Sequence, residues 1–251
     1  MLQSYIPCPT PRSGSTLLCD LLAATSVAGR PNSFFRQEDM LEWAEYWGLS
    51  PADLDGEGTF SRAYVEAMIR EGRGGTEVFG LRLMWGSVAA ASQSLDRLHP
   101  GLPDAPARFE RAFGPTLYVH LSRRDKVAQA VSRLQAEQSG LWHLGADGVE
   151  RERSAPPGPA FYDAERLAFL VEELHADDAA WNAFFAEHAI APLRLNYETM
   201  AAAPHAAVAA ILSALGRDPE IARTVELRTA KLANATSREW AERFRKETGI
   251  A

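Results

Sequence analysis

Short apolar runs of strand character alternate along this chain with longer stretches of helical period. Residues 77–83 (EVFGLRL) and 116–121 (TLYVHL) are the clearest strand candidates, and 192–196 (PLRLN) is a shorter one. Residues 4–8 (SYIPC) form a fourth, weakened by Pro7, whose ring removes a ladder donor. Between them, Leu17, Leu18, Leu21 and Leu22 share one helix face. Residues 165–187 place Leu167, Leu170, Val171, Leu174, Trp181, Phe184 and Phe185 near a 3.6-residue period. Residues 204–215 read as a helix ending at Gly216 as its C-cap. Strands alternating with helices predict an α/β fold: a P-loop-like parallel sheet with helices on both faces. Ligands of such folds bind beyond the carboxyl ends of the strands, where helices begin.

Three segments read as loops: 48–59 (GLSPADLDGEGT), 99–106 (HPGLPDAP) and 145–160 (GADGVERERSAPPGPA). The last is a candidate lid or a plain excursion within a single domain spanning 1–251. Composition adds exclusions. The net charge of −7 argues against nucleic acid as the main partner, since a phosphate backbone asks for excess Lys and Arg. No run of 18 apolar residues spans a membrane, and no secretory signal opens the chain, so a cytoplasmic location is expected. Cys8 and Cys19 form no CxxC pair and no metal-ligand spacing. No arginine stands six positions beyond Cys8, so a thiol-phosphatase loop is absent; both cysteines read as packing residues.

The chemistry concentrates in PRSGSTLL, residues 11–18, between the first strand and the first helix. Ser13, Gly14, Ser15 and Thr16 would present backbone N–H groups that lack intrahelical partners, where the helix dipole favours an anion. Gly14 permits close approach, Ser15 and Thr16 add hydroxyls, and Arg12 adds a permanent charge with a fork of donors. The plainer alternative is a strand–helix turn capped by Ser13 with Arg12 on the surface. An ATP-type loop needs GxxxxGK[ST]; here the cation precedes Ser-Gly, so a nucleoside triphosphate with magnesium is not the natural ligand. A second anchor lies in HLSRRDKVAQAVSRL, residues 120–134. Arg123 and Arg124 leave a strand and Ser132 lies on the following helix, which suits a second phosphate or a plain solvated turn.

PRSGSTLL, VFGLRLMW, RRDKVAQAVSRLQAEQSGLW and SREWAERFRKE, in this order, resemble the bacterial trehalose 2-sulfotransferase family within the sulfotransferase superfamily. The resemblance implies 3′-phosphoadenosine 5′-phosphosulfate (PAPS) as sulfuryl donor and no metal. It implies that residues 12–16 hold the 5′-phosphosulfate and that Arg123 and Ser132 grip the 3′-phosphate. Arg124 is one residue out of register but matches the spacing of cytosolic sulfotransferases. The segment around Ser237, Arg238 and Trp240 resembles a C-terminal loop that closes over the nucleotide. The expected acceptor is a small sugar or related metabolite, and a homodimer is a family-based expectation.

The chain departs from that family where a base is needed. The family reads GEPxEFF, with the second glutamate as base; this chain reads GRPNSFF, so Arg30 and Ser33 replace the two glutamates. The family's lysine in GxKLMW is Arg82. Glu38 or Asp39 are substitute bases, or the proton leaves to water or donor, or the chain binds nucleotide without turnover. Arg30 and Arg36 instead suggest a changed acceptor. Ser33, Arg82, Trp85 and His143 are candidate acceptor contacts, with His143 a further candidate base. His120, mid-strand, reads as core. Glu172–Glu173 and Asp177–Asp178 read as a solvated helix face, and Trp43, Tyr46 and Trp47 as core before sugar platform.

Overall fold

The computed structural model describes residues 2–50, 61–144, 149–153, 156, 158–226 and 235–250. Its main sheet holds β1 (Ser4–Pro9), β2 (Phe79–Gly80), β3 (Thr116–Ser122) and β6 (Leu193–Asn196). The order is β2-β1-β3-β6 and every pairing is parallel. The expected α/β fold, a parallel sheet flanked by helices, is therefore the observed one. The chain leaves β1 for β2 on one side and later crosses to β3 on the other. The carboxyl ends of β1 and β3 thus flank a topological switch point, the usual crevice of an open parallel sheet.

Pro7 sits inside β1, opposite Val119, without breaking the sheet. Its carbonyl accepts the Leu83 N–H at 3.0 Å, and a strand residue points both backbone groups the same way. The missing donor therefore faces the β2 side. Leu81 and Leu83 still donate to Tyr5 and Pro7, but no N–H returns from residue 7. This shortens the expected strand over 77–83 to Phe79–Gly80.

Alternation along the strands splits the core. Ile6, Cys8 and Tyr118 face a cluster with Phe34, Phe79, Trp181 and Phe185. Tyr5, Val119 and Leu121 face Leu18, Leu21 and Leu22 of α1 (Ser15–Ala24) and Val208 and Ile211 of α9 (Pro204–Ala214). Helix α7 (Ala164–Glu187) buries all seven of its periodic apolar residues, but in two places. Leu167 to Leu174 pack with α6 (Lys126–Ser139) and α10 (Ala235–Thr248), whereas Trp181 to Phe185 lie under the sheet. Trp181 is fully buried, stacks on Phe185 with centroids 5.6 Å apart, and donates its indole N–H to the Pro9 carbonyl at 3.3 Å. Trp181→Ala is expected to cost about 3–5 kcal/mol of stability in a denaturant titration, from the cavity and the orphaned carbonyl.

Several plain readings hold, and two are corrected. Trp43 and Trp47, on and just after α2 (Met40–Tyr46), pack against Phe34 as core, while Tyr46 is exposed. Both thiols are buried; burial raises Cys8 far above the ordinary range and pushes Cys19 up to about 11, so neither is a nucleophile. Asp178, by contrast, is no solvated side chain: it pairs with buried Lys126. Burial alone would raise its carboxyl, but Lys126 and His120 outweigh that and hold it below the ordinary range. The segment at 235–248 is a helix, not a loop. Within the candidate lid, β5 (Glu150–Arg153) pairs antiparallel with β4 (Leu141–Leu144), which precedes it; residues 145–148, 154, 155 and 157 lie outside the described residues, as do 51–59 of the first loop. Among the described residues, no helix is long and apolar enough to cross a membrane.

Candidate active site

The switch-point crevice is a cleft of about 590 Å³. Seven arginines line it (Arg12, Arg36, Arg82, Arg123, Arg133, Arg238 and Arg245) against two carboxylates, Asp125 and Glu242. In a chain of net charge −7, seven of the 26 Lys and Arg residues line this one cleft. Such a cleft attracts a multiply charged anion.

The turn after β1 is built around two left-handed residues. Gly14 has φ 85° and serves as N-cap of α1 with no side-chain cap bond. A Cβ on Gly14 would lie 2.7 Å from Tyr197 and 2.9 Å from Met200, so glycine is needed for space as well as for φ. The first amides of α1, from Ser15 onward, have no helical carbonyl to pair with and open on the cleft. Ser13 does not cap the helix; it is fully buried, and its hydroxyl has no partner among the described residues. Arg12, at φ 62°, is a non-glycine residue in the left-handed region. Its side chain runs along the cleft: Nε donates to Ser132 Oγ at 3.1 Å, and Nη1 donates to the Trp142 carbonyl.

The second anchor meets the first. Arg123 Nη1 donates to the Arg12 carbonyl at 3.2 Å, and its guanidinium lies 4.4 Å from the Tyr197 ring centroid. Burial lowers its pKa, but a guanidinium stays charged. Its Nε is buried without a hydrogen-bond partner among the described residues. Asp125 caps α6 by accepting from Ala128 and also takes Arg245 at 2.6 Å. Arg238 lines the same end from α10, where Ser237 donates to Gln135 at 2.8 Å.

The other end of the cleft carries a chain of polar contacts. Arg82 Nε donates to Ser33 Oγ at 2.8 Å, and its Nη1 donates to Thr16 Oγ1 at 2.9 Å. Thr16 Oγ1 in turn lies 3.0 Å from His143 Nε2. Since Arg82 can only donate, the Thr16 hydroxyl is free to give its proton to the imidazole. Phe35, Leu83, Met84 and Ser87 complete this wall.

The structure thus brings together Arg12, Gly14, Ser15, Thr16, Ser33, Arg82, Arg123, Ser132, His143 and Arg238. It leaves four expected residues off the cleft lining. Glu38 sits in a 3-10 turn with its side chain 76% exposed, 3.7 Å from Arg36. Arg124 points to solvent and pairs with Glu198 at 3.7 Å. Trp85 opens α4 (Trp85–Leu98) and packs on Trp181 and Phe184, beside a separate groove with Val88, Arg108 and His188. Ser13 is behind the turn. Arg30 is exposed and lies against Gly74, so only Arg36 of that pair lines the cleft. Trp240 is core, against Tyr162. Nothing in the sequence pointed to Tyr197, although its position just after β6 is where such a fold places ligand contacts.

Comparison with known proteins gives these features a family. The family model described as Stf0 sulphotransferase matches residues 4–247. A trehalose 2-sulfotransferase of Mycobacterium tuberculosis is 32% identical over 98% of this chain and 96% of its own length. One from Mycolicibacterium smegmatis is 31% identical over 97% of this chain and 95% of its own. A solved sulfotransferase domain from the Synechococcus PCC 7002 olefin synthase superposes with a TM-score of 0.51 at 17% identity. It covers 97% of this chain and 94% of that one, and at this identity it speaks for the fold alone.

Proposed function

This chain belongs to the Stf0 sulphotransferase family and is a sulfotransferase; from that premise we propose that it moves a sulfuryl group from PAPS to a hydroxyl of a small sugar. One observation carries the reading: Arg123 holds the Arg12 carbonyl beside a helix start that has no side-chain cap, in a cleft lined by seven arginines and two carboxylates among the described residues. Arg12, Gly14, Ser15 and Thr16 would take the 5′-phosphosulfate. Arg123 and Ser132 would take the 3′-phosphate, with Arg238 closing from α10. Arg12 meets Ser132 across the cleft at 3.1 Å, so donor binding would part them.

The chemistry is an in-line displacement. The acceptor oxygen forms a bond to sulfur while the bond from sulfur to the bridging oxygen breaks. Charge grows on that oxygen, which leaves as part of the phosphate. The turn's amides already face this charge, and Arg12 joins them once its bond to Ser132 has parted, so both act where electrostatic stabilisation is strongest. The acceptor proton goes to His143 Nε2, freed as the Thr16 hydroxyl turns to the donor phosphate. Glu38 is too far out on the surface for that duty, and no carboxylate lines the acceptor end among the described residues. Arg82 and Ser33 orient the acceptor. The two relatives named for trehalose make trehalose the first acceptor to try.

The same shortage of carboxylate favours a second reading, in which the cleft binds donor or its product with little turnover. Transfer of labelled sulfate from PAPS to a panel of sugars separates the two. Product with any sugar supports transfer; tight donor binding with no product on any alcohol supports the second reading. Ser33→Glu tests the acceptor wall in the same assay. A carboxylate beside Arg82 would form an ion pair in place of the 2.8 Å hydroxyl contact and draw the guanidinium from Thr16. The variant is expected to lose acceptor affinity, read as a raised acceptor KM with donor KM unchanged.

A further inference from the structure

Behind the donor turn lies a buried polar chain that touches no part of the cleft chemistry directly. Gln129 of α6 is fully buried. Its amide nitrogen donates to Thr10 Oγ1 at 2.8 Å and to the Pro11 carbonyl at 2.6 Å. Its amide oxygen accepts from Lys126 Nζ at 3.2 Å, and Lys126, itself buried, is paired with Asp178 of α7. Only one orientation of the amide satisfies this set. Turned over, it would set oxygen against the Pro11 carbonyl and its N–H groups against an ammonium.

The Pro11 carbonyl belongs to the peptide unit that ends at the Arg12 nitrogen. Gripping it fixes the plane of that peptide, one of the two determinants of Arg12's φ. Arg12 stands at φ 62°, a value a residue with a Cβ keeps only when its surroundings impose it. On the other side of Arg12, Arg123 holds the next carbonyl at 3.2 Å. The turn is therefore clamped on both peptides flanking Arg12, from β3's end in front and from α6 behind.

The geometry points to Gln129 as a positioning residue: its amide, aimed by the Lys126–Asp178 pair, locks Arg12 in the left-handed conformation that directs its guanidinium along the cleft. This rests on the reading of Arg12 as a donor contact. Nothing in the spacing of the sequence signals it, because Gln129 lies 118 positions from Pro11.

A double-mutant cycle tests it. Affinity for adenosine 3′,5′-bisphosphate is measured by calorimetry in the wild-type chain, Gln129→Glu, Arg12→Ala and both together. Gln129→Glu keeps shape and can still pair with Lys126 but donates nothing to the turn. It should weaken binding by about tenfold alone, and by little more when Arg12 is already Ala, because neighbouring groups in one network are not additive. Equal factors in both backgrounds overturn the clamp and leave the donor reading intact. Hydrogen exchange of residues 10–16 is read without ligand in the same variants. Faster exchange there, with β3 unchanged, supports the clamp; unchanged exchange overturns it even if no nucleotide binds, an outcome that would separately sink the donor reading. If Gln129→Glu does not fold, Gln129→Met carries the same comparison.

Discussion

Arg12→Ala is expected to lower kcat/KM for sulfuryl transfer by about 10²–10³-fold, the usual cost of removing one donor from the site where transition-state charge collects. The loss should fall mainly on kcat. The ground-state donor keeps the amides of Ser15 and Thr16 and the hold of Arg123, whereas the leaving oxygen loses its fork of N–H groups. Arg12→Lys should restore only part of the rate. An ammonium supplies the charge but not the paired, planar donors that reach Ser132 and the Trp142 carbonyl together. Stability should hardly change, since alanine at φ 62° inherits the same backbone strain. Steady-state kinetics with donor and acceptor varied separately, beside a thermal melt, check all three statements.

His143→Gln is the second large effect. Loss of a general base costs about 10²–10⁴-fold, and glutamine keeps a polar group of comparable reach beside Thr16 without accepting a proton at neutral pH. The loss should fall on kcat, with both KM values near those of the wild-type chain; a wild-type rate in the variant would place the base elsewhere. Glu38→Gln is the matched control: its side chain is 76% exposed and the rate should stay as it was.

Sequence and structure divide the explanation unevenly. The turn at 11–18 was legible because its chemistry is local: a glycine, two hydroxyls and an arginine at the start of an apolar helix face. The burial of α7 was legible from its period, although the period could not say that Leu167 to Leu174 and Trp181 to Phe185 enter different cores. Pro7 misled in the other direction. A proline argues against a central strand, yet β2 stops just where the missing N–H would have been needed. Trp85 was misplaced for a related reason. Residues 81 to 84 lead from β2 into α4, so Leu83 and Met84 line the cleft while Trp85 packs on Trp181.

The proposed base was the least legible part, with His143 only one candidate among several. The position that resembles the family's glutamate is Ser33, and the nearest substitutes by number, Glu38 and Asp39, tie up with Arg36 on the surface. His143 reaches Thr16 across 127 positions of sequence. Contacts of that span are fixed by how β4 leaves α6, and no spacing rule reports them. Gln129, Tyr197 and the Trp142 carbonyl belong to the same class, each joined to the turn or to Arg123 only by the fold. The residues that carry charge could be read from the chain; those that aim the charge could not.

The most direct measurement is a calorimetric titration of adenosine 3′,5′-bisphosphate into the wild-type chain and into a variant carrying both Arg12→Ala and Arg123→Ala. Saturable binding at one site per chain, weakened by at least a hundredfold in the variant, is the predicted result. Absence of binding to the wild type, or equal affinity in both proteins, would contradict a cleft built to hold a twice-phosphorylated adenosine.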